Sequence, residues 1–212
     1  MRIALKRIAE STVRRLSLYL RFLEEFEAQG HQTISSGELA SQGGTTSAQV
    51  RKDLSFFGSF GKRGLGYSVS ALSASLREIL GLGRQWNVII VGAGKIGAAL
   101  AQYKGFRERG FKVVGVYDTD AARVGRSLDG VHVKDQRELE SDVAKLKPQI
   151  ALIAVPAEAA QSLVDRVVKS GVRAILNFAP TPLTVPKGVT LRSVNMALEL
   201  EILSYALVNA DD

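Results

Sequence analysis

The chain contains no cysteine, and this absence excludes several kinds of site at once. Without thiols there is no disulfide bond and no thiolate zinc site, which fits a reducing compartment. No apolar run approaches the roughly 18 residues that a membrane-spanning helix needs. Charged residues interrupt the N-terminus, so it does not match a signal peptide. We therefore expect a cytoplasmic protein with no membrane partner.

Residues typical of catalysis are also scarce. His31 and His132 are the only histidines, and neither belongs to a catalytic pattern. The chain has no Tyr-x-x-x-Lys sequence and no Gly-x-Ser-x-Gly sequence. Nothing in its composition indicates a metal site. We expect that the protein is not an enzyme.

Positive charge is concentrated in the first part of the chain. Residues 1–84 contain 12 Lys and Arg against 7 Asp and Glu, whereas residues 85–212 contain 16 against 14. An apolar content of 46% supports buried cores. A basic excess confined to one part of the chain predicts a polyanionic partner for that part.

Helix signals in the basic part follow the order of a helix-turn-helix. An amphipathic pattern predicts a helix over residues 12–29, and residues 35–38 match a capping box before a short second helix. Gly43 and Gly44 end that helix, and a third one is predicted over residues 45–57, with Thr45 or Thr46 as its cap. Two helices joined by a glycine turn are typical of DNA-binding domains.

The polar residues of this third helix and the segment after it fit a winged helix. Residues 58–69 predict a β-hairpin with Lys62 and Arg63 at its tip, and residues 70–83 predict a connecting helix. An ordinary solvated surface remains the alternative. The candidate DNA-contacting residues are Ser47, Gln49, Arg51, Lys52, Ser55, Lys62 and Arg63.

A glycine pattern begins the second part of the chain. The strand pattern over residues 87–91 leads into Gly92-x-Gly94-x-x-Gly97 and then into a helix-forming sequence. Asp118 closes the next strand, 21 residues after Gly97. Strand, turn, helix and acid at these positions predict a dinucleotide-binding βαβ unit, with a purely structural turn as the alternative.

Asp118 also bears on which dinucleotide is bound. A carboxylate here accepts hydrogen bonds from ribose hydroxyls and repels a 2′-phosphate, which favours NADH/NAD⁺ over the phosphorylated forms. Arg123 is close enough in sequence to leave NADP open.

Strands and helices alternate from residue 86 onward, which predicts an α/β fold with a doubly wound parallel sheet. Further strands are expected at 149–155 and 172–177, with weaker ones near 131–133 and 189–193. Ligands bind outside the carboxyl ends of such strands. The candidate cofactor-binding residues are Gly92, Ala93, Gly94, Lys95, Ile96, Gly97, Tyr117, Asp118, Val155, Pro156, Asn177 and Phe178.

Three regions follow from these patterns. We expect a winged-helix domain over residues 1–84, a Rossmann-like domain over residues 85–193 and a C-terminal helix within residues 194–212. That helix is apolar over most of its circumference, so it should be buried, plausibly against another subunit.

The whole chain resembles the Rex family of redox-sensing transcriptional repressors. The resemblance rests on the motifs at residues 49–54, 58–67, 92–97 and 176–180. It implies a homodimer that binds an inverted-repeat operator and exchanges C-terminal helices between subunits. It also implies that NADH binding releases the DNA, while NAD⁺ competes weakly or favours the DNA-bound form.

The chain departs from the family at the start of the C-terminal helix. Asn195 and Met196 stand where the family typically has Asp and Phe. The resemblance implies that this acid exchanges partners between Arg21 and Tyr103 across the dimer, and Tyr103 is also expected near the cofactor. Asn can cap a helix but cannot form a salt bridge.

Two other functions remain open. The first is an NAD-dependent enzyme with an accessory N-terminal domain. The second is a regulator that senses another adenine-containing ligand, such as a CoA thioester.

Overall fold

The computed structural model describes residues 8–62 and 65–209, and the chain divides into two compact units, Met1–Arg84 and Gln85–Asp212. Arg63, which was predicted at the hairpin tip, lies outside the described residues, and the side chain of Lys62 is not described.

The first unit packs helices against a small antiparallel sheet. Its elements are α1 (Glu10–Ala28), β1 (Thr33–Ile34), α2 (Ser36–Gln42), α3 (Ser47–Ser55), β2 (Gly61–Lys62), β3 (Gly66–Ser68) and α4 (Val69–Ile79). Apolar side chains from each helix form its core, among them Leu20, Leu39, Leu54 and Leu72. The predicted helices and the β2–β3 hairpin are confirmed.

The starts of α2 and α3 show why these helices begin where they do. The Ser35 hydroxyl accepts from the Glu38 backbone N–H, and the Glu38 carboxylate accepts from the Ser35 N–H, so the predicted capping box is present. Thr46 caps α3 by accepting from the Gln49 N–H. Thr46 is one of the two predicted caps, so α3 begins at Ser47, and it ends at Ser55, two residues before the predicted end.

The second unit is a parallel sheet covered by helices. Its strands are β4 (Trp86–Val91), β5 (Phe111–Asp118), β6 (Ser127–Leu128), β7 (Val131–Asp135), β8 (Ile150–Ile153), β9 (Ala174–Asn177) and β10 (Thr190–Ser193). Its helices are α5 (Lys95–Ala101), α6 (Lys104–Glu108), a 3₁₀ turn (Gln136–Glu138), α7 (Leu139–Leu146), α8 (Ala157–Lys169) and α9 (Met196–Val208).

The strand order explains where a ligand can bind. The order is β10-β9-β8-β4-β5-β7-β6, and only the short β6 pairs antiparallel. The chain builds outward from β4 through β5 to one side and from β8 through β9 to the other. The order therefore reverses between β4 and β8, which makes a crevice at the carboxyl ends of these strands. The predicted α/β class is confirmed.

Some predicted strand limits were too wide. The strand at 149–155 is Ile150–Ile153, because Pro156 already precedes the first turn of α8. The strand at 172–177 begins at Ala174, after the turn in which Gly171 adopts a positive φ. The two-residue strands β1 and β6 were not predicted, since two residues cannot establish an alternating pattern.

The terminal helix α9 is not buried by its own chain. None of its residues is buried, and Val208 is 81% exposed. Because α9 is apolar over most of its circumference, its expected burial needs a surface from outside this chain. Among the described helices, none combines the length and apolar composition that crossing a bilayer requires.

Candidate functional site

A cavity of about 750 Å³ lies at the carboxyl ends of β4, β5 and β8, where the strand order reverses. Most of the predicted cofactor residues meet there. Those that line it are Gly92, Gly94, Lys95, Ile96, Tyr117, Asp118, Val155, Pro156 and Phe178.

The three glycines of the turn have different roles. Gly92 has a φ of +100°, and a Cβ there would lie 2.3 Å from the Ala154 carbonyl oxygen. A Cβ at Gly97 would lie 1.8 Å from the Gly92 carbonyl oxygen, so Gly97 lets α5 approach β4. A Cβ at Gly94 would meet nothing closer than the Arg123 Nη1 at 4.0 Å. Packing within the protein does not require glycine at residue 94, and its missing side chain leaves room for a ligand.

Asp118 is buried and fixes the loop that follows β4. Its Oδ2 accepts from the Ala93 N–H at 2.6 Å and from Arg123 Nη1 at 3.2 Å, and its Oδ1 accepts from the Asp120 N–H at 2.8 Å. Burial alone would raise the pKa of Asp118, but these hydrogen bonds lower it below its usual value. The carboxylate is ionised at neutral pH, and its lone pairs exceed these three bonds, so it can still accept from a ligand hydroxyl.

Several residues that line the cavity were not among the candidates. Asp120 and Arg123 follow β5 and pair with each other at 3.3 Å. Gln136 follows β7, while Ala159 and Leu163 belong to α8. Asp120, Arg123 and Gln136 follow the carboxyl ends of strands, where ligands are expected to bind. The sequence pattern of β7 is weak, so Gln136 was not recognised as a candidate.

Other predicted residues lie outside the cavity lining. Ala93 belongs to the turn that supports the cavity, and Gly97 lies in the first turn of α5. Asn177 is fully buried, and its amide donates to the carbonyl oxygens of Ala179 and Thr181, so it shapes the loop that contains Phe178. Although Tyr117 borders the cavity, its hydroxyl donates to Asp142 Oδ2 at 3.1 Å. Burial raises the pKa of Tyr117, so this hydroxyl stays protonated.

The three predicted switch residues lie in different places. Arg21 is exposed on α1 in the first unit. Tyr103 is 59% exposed, packs edge-on against Phe106 and lines a separate cleft of about 500 Å³. Asn195 caps α9, because its Oδ1 accepts from the backbone N–H groups of Ala197 and Leu198. The expected capping by Asn195 is therefore present.

The candidate nucleic-acid face is the outer side of α3. Arg51, Lys52 and Ser55 are exposed on it. Arg51 Nη1 donates to the Ser36 hydroxyl at 2.9 Å, so its guanidinium is held at the start of α2. A cleft of about 750 Å³ separates α3 from the β2–β3 hairpin, and Arg51 and Ser55 line it together with Tyr67. An exposed helix beside a hairpin is the arrangement of a winged helix.

A buried charge fixes α3 to α1. Asp53 is fully buried and accepts from Arg15 Nε at 2.6 Å and Nη2 at 2.8 Å, from the Tyr19 hydroxyl and from Gln49 Nε2. Burial alone would raise the pKa of Asp53, but these donors lower it. Burial, together with the charge of Asp53, raises the pKa of Tyr19 to about 12. Gln49 was predicted to contact bases, but its side-chain amide donates to Asp53 instead. Ser47, another predicted contact, is half-buried.

No group of three or more His, Asp or Glu side chains within the described ranges is arranged to hold a metal ion.

Family models match both units. The model described as "Putative DNA-binding protein N-terminus" covers residues 7–55, and the one described as "CoA binding domain" covers residues 83–181. A protein of Pelotomaculum thermopropionicum is 47% identical over 97% of this chain and 96% of its own length. A protein of Syntrophomonas wolfei is 48% identical over 95% of this chain and 96% of its own length. Both are named "Redox-sensing transcriptional repressor Rex".

The chain belongs to the Rex family of redox-sensing transcriptional repressors. The resemblance inferred from the motifs is thereby confirmed. Solved structures of RSP, a Rex-family repressor, match the full fold. RSP in complex with β-NAD⁺ and operator DNA superimposes with a TM-score of 0.92, at 38% identity over 97% of this chain and 95% of RSP. RSP in complex with β-NADH superimposes with a TM-score of 0.90, at 36% identity over 97% of this chain and 97% of RSP.

Proposed function

We propose that this protein is a homodimeric transcriptional repressor that binds an inverted-repeat operator and releases it when NADH binds. The observation that supports this most directly is the pairing within one chain of a winged-helix unit and a dinucleotide cavity. RSP, which shares the fold, was solved with NADH and with NAD⁺ and operator DNA. The curated relatives are named as repressors.

The residues of the cavity fit a nicotinamide dinucleotide. Gly94 leaves open space beside the turn where a pyrophosphate binds in this fold. The Asp118 carboxylate is ionised and has capacity for ribose hydroxyls. At the other end, Val155 and Phe178 offer apolar surface for a nicotinamide ring. NADH and NAD⁺ differ in the charge of that ring, so this end of the cavity is where the two redox states are distinguished.

DNA binding is assigned to the first unit and dimerisation to α9. The exposed Arg51 and Lys52 of α3 suit a major groove, and the hairpin with Lys62 and Arg63 suits the neighbouring backbone or minor groove. The uncovered apolar surface of α9 supports a second copy of the chain as its partner. A protein that binds both operator DNA and NADH acts in the cytoplasm.

Release of DNA requires a difference in affinity. NADH shifts the equilibrium only if it binds the conformation that does not bind DNA more tightly than the one that does. A ligand with equal affinity for both conformations leaves the operator occupied, however tightly it binds.

A CoA thioester is the second candidate ligand, because a CoA-binding family model matches residues 83–181. CoA shares the adenine and pyrophosphate of NADH but has a 3′-phosphate on its ribose. The Asp118 carboxylate, which sits where the adenosine ribose is expected, opposes this additional negative charge.

One titration tests the proposal against this alternative. A duplex selected by the full chain from a random pool is labelled, and its release is followed by fluorescence anisotropy. NADH, NAD⁺, NADPH and acetyl-CoA are added separately. We expect NADH to release the duplex at the lowest concentration. Release by acetyl-CoA without release by NADH would replace the proposal with the alternative.

A further inference from the structure

We propose that Gln136 recognises the adenine base of the bound dinucleotide; the inference rests on the proposed function and adds a specificity residue to it. Four polar side chains are buried among the described residues of the second unit: Asp118, Gln136, Asp142 and Asn177. Three of them hydrogen-bond within the chain. Gln136 is only 9% exposed, yet no hydrogen bond joins its side-chain amide to any residue in the described ranges.

No fully buried side-chain nitrogen or oxygen atom among the described residues lacks a hydrogen-bond partner, so the unbonded amide atoms of Gln136 are the part of its side chain that stays accessible. A side chain that is held in place and keeps an accessible polar end without a partner in the chain can offer that end to a ligand. The amide of Gln136 borders the nucleotide cavity rather than a closed core. Its missing partner is therefore expected on whatever molecule fills that cavity.

The position of Gln136 in the sheet selects the adenosine half of the ligand. In the parallel pair β5–β7, Asp118 is in register with Asp135, and Gln136 is the next residue. Asp118 marks the adenosine ribose in this fold, and the nicotinamide half extends toward β8 and β9 on the other side of β4. Gln136 thus lies one strand beyond the ribose, where the base is expected.

Neighbouring residues hold the backbone of Gln136 in place. Arg166 Nη2 donates to the Gln136 carbonyl oxygen at 3.2 Å, and the same guanidinium pairs with both carboxylate oxygens of Glu140. One turn of α8 beside it presents Ala159 and Leu163 to the cavity. Two apolar side chains beside one polar amide suit a planar base, whose faces are apolar and whose edge forms hydrogen bonds.

The chemistry of a primary amide matches adenine specifically. Its oxygen accepts from the 6-amino group while its nitrogen donates to N7, the pairing that Asn and Gln make with adenine in DNA recognition. Hypoxanthine carries an oxo group in place of the 6-amino group and a proton on N1, so the edge formed by position 6 and N7 presents two acceptors. An amide cannot satisfy both acceptors with the geometry that it uses for adenine.

The test compares NADH with its hypoxanthine analogue, deamino-NADH, by isothermal titration calorimetry on the full chain. We expect the unmodified protein to prefer NADH about tenfold, the size of one lost hydrogen bond of the pair. Gln136→Leu, which keeps the volume but removes the polar group, should bring this preference close to one. Gln102→Leu is the matched control on the exposed end of α5 and should keep the preference.

The ratio of the NADH affinity to the deamino-NADH affinity distinguishes base recognition from a structural role of Gln136. A variant that only distorts the cavity weakens both ligands equally, so an unchanged preference in Gln136→Leu overturns the inference. No preference in the unmodified protein overturns it as well, although NADH binding and operator release would still support the proposed function. If NADH does not bind the unmodified protein, the proposed function fails and this inference fails with it.

Discussion

At the scale of single residues, the first unit depends on the charge of Asp53. Its carboxylate has almost no contact with solvent, and the bidentate Arg15 compensates for its lost hydration. Because the outer face of α3 is the face proposed to contact DNA, this pair sets the position of that face relative to α1. Removing one partner of a buried ion pair leaves the other charge uncompensated.

Arg15→Met should therefore destabilise the protein by about 3 kcal/mol at pH 7. Urea unfolding followed by circular dichroism measures this, with Arg14→Met on the exposed side of α1 as the control. Since the folded state lowers the pKa of Asp53, its contribution is present above the unfolded value of 3.8 and is lost as the pH falls through the lower folded value. In Arg15→Met, burial without the cation should raise the pKa of Asp53. The decrease in unfolding free energy caused by the substitution should therefore be smaller at pH 4 than at pH 7. A loss that is the same at both pH values would contradict this role.

Asp118 has two roles in the account, one toward the chain and one toward the ligand. It holds the Ala93 and Asp120 amides, and it bears the negative charge that opposes a 2′-phosphate. Arg123 at 3.2 Å offsets part of this charge. The selectivity for NADH therefore depends on the balance between these two side chains.

We expect Asp118→Ala to weaken NADH binding and to narrow the difference between NADH and NADPH. Calorimetry with both dinucleotides measures the two effects separately. Arg123→Leu is the counterpart, because it removes the cation that offsets the charge of Asp118. It should widen the difference in affinity between NADH and NADPH. If Asp118→Ala weakens both dinucleotides by the same factor, the carboxylate only supports the loop.

At the scale of elements, we propose that α3 and the hairpin make different contributions to DNA binding. Side chains on a helix in the major groove distinguish base pairs, whereas cations on a wing neutralise phosphates. Arg51, Lys52 and Ser55 are the outward residues of α3, and Gln49 faces Asp53 instead. The two elements should differ in how salt and sequence affect their contributions.

Arg51→Ala and Lys52→Ala should each weaken operator binding by on the order of 1–3 kcal/mol and reduce sequence selectivity. Lys62→Ala combined with Arg63→Ala should instead flatten the dependence of affinity on salt. Anisotropy titrations at several salt concentrations measure both, with Lys145→Ala in the second unit as the control. Wild-type affinity and salt slope in the doubly substituted hairpin would show that the wing assignment is wrong.

The sequence predicted the elements better than it predicted side-chain directions. The glycine turn, the Ser35 cap and the parallel strands follow from local patterns, and all are present. The pair Arg15–Asp53 joins residues 38 positions apart, which no local pattern reports. Asn177 and Gln136 both follow the rule of carboxyl strand ends, but only the folded chain shows that the first is fully bonded and the second is not.

At the scale of the whole molecule, regulated repression requires that a ligand bound in one unit change the DNA affinity of the other unit. Asn195, which the motif resemblance places where the family typically has Asp, caps α9, the helix proposed to form the dimer contact. An aspartate there would give each of two states a charge-assisted contact, whereas a neutral amide gives weaker bonds in both. The free-energy difference between states then depends more on helix packing and on NADH itself.

Asn195→Asp should consequently widen the ratio of operator affinities measured without and with saturating NADH. Tyr103→Phe should change that ratio little in the native background. Coupling free energies between ligands are typically about 1–3 kcal/mol, so equilibrium titrations resolve such changes. An unchanged ratio in Asn195→Asp, or a collapsed one in Tyr103→Phe, would mean that Asn195 does not limit the response.

The most direct test of the central claim is the affinity of NADH for the free protein and for the protein saturated with operator. Linkage requires that NADH and operator weaken each other by the same factor. Calorimetry should therefore show weaker NADH binding in the presence of operator, by the factor that NADH lowers operator affinity, with a scrambled duplex as the control. Equal NADH affinity with and without operator would contradict the account, because the two sites would then be uncoupled.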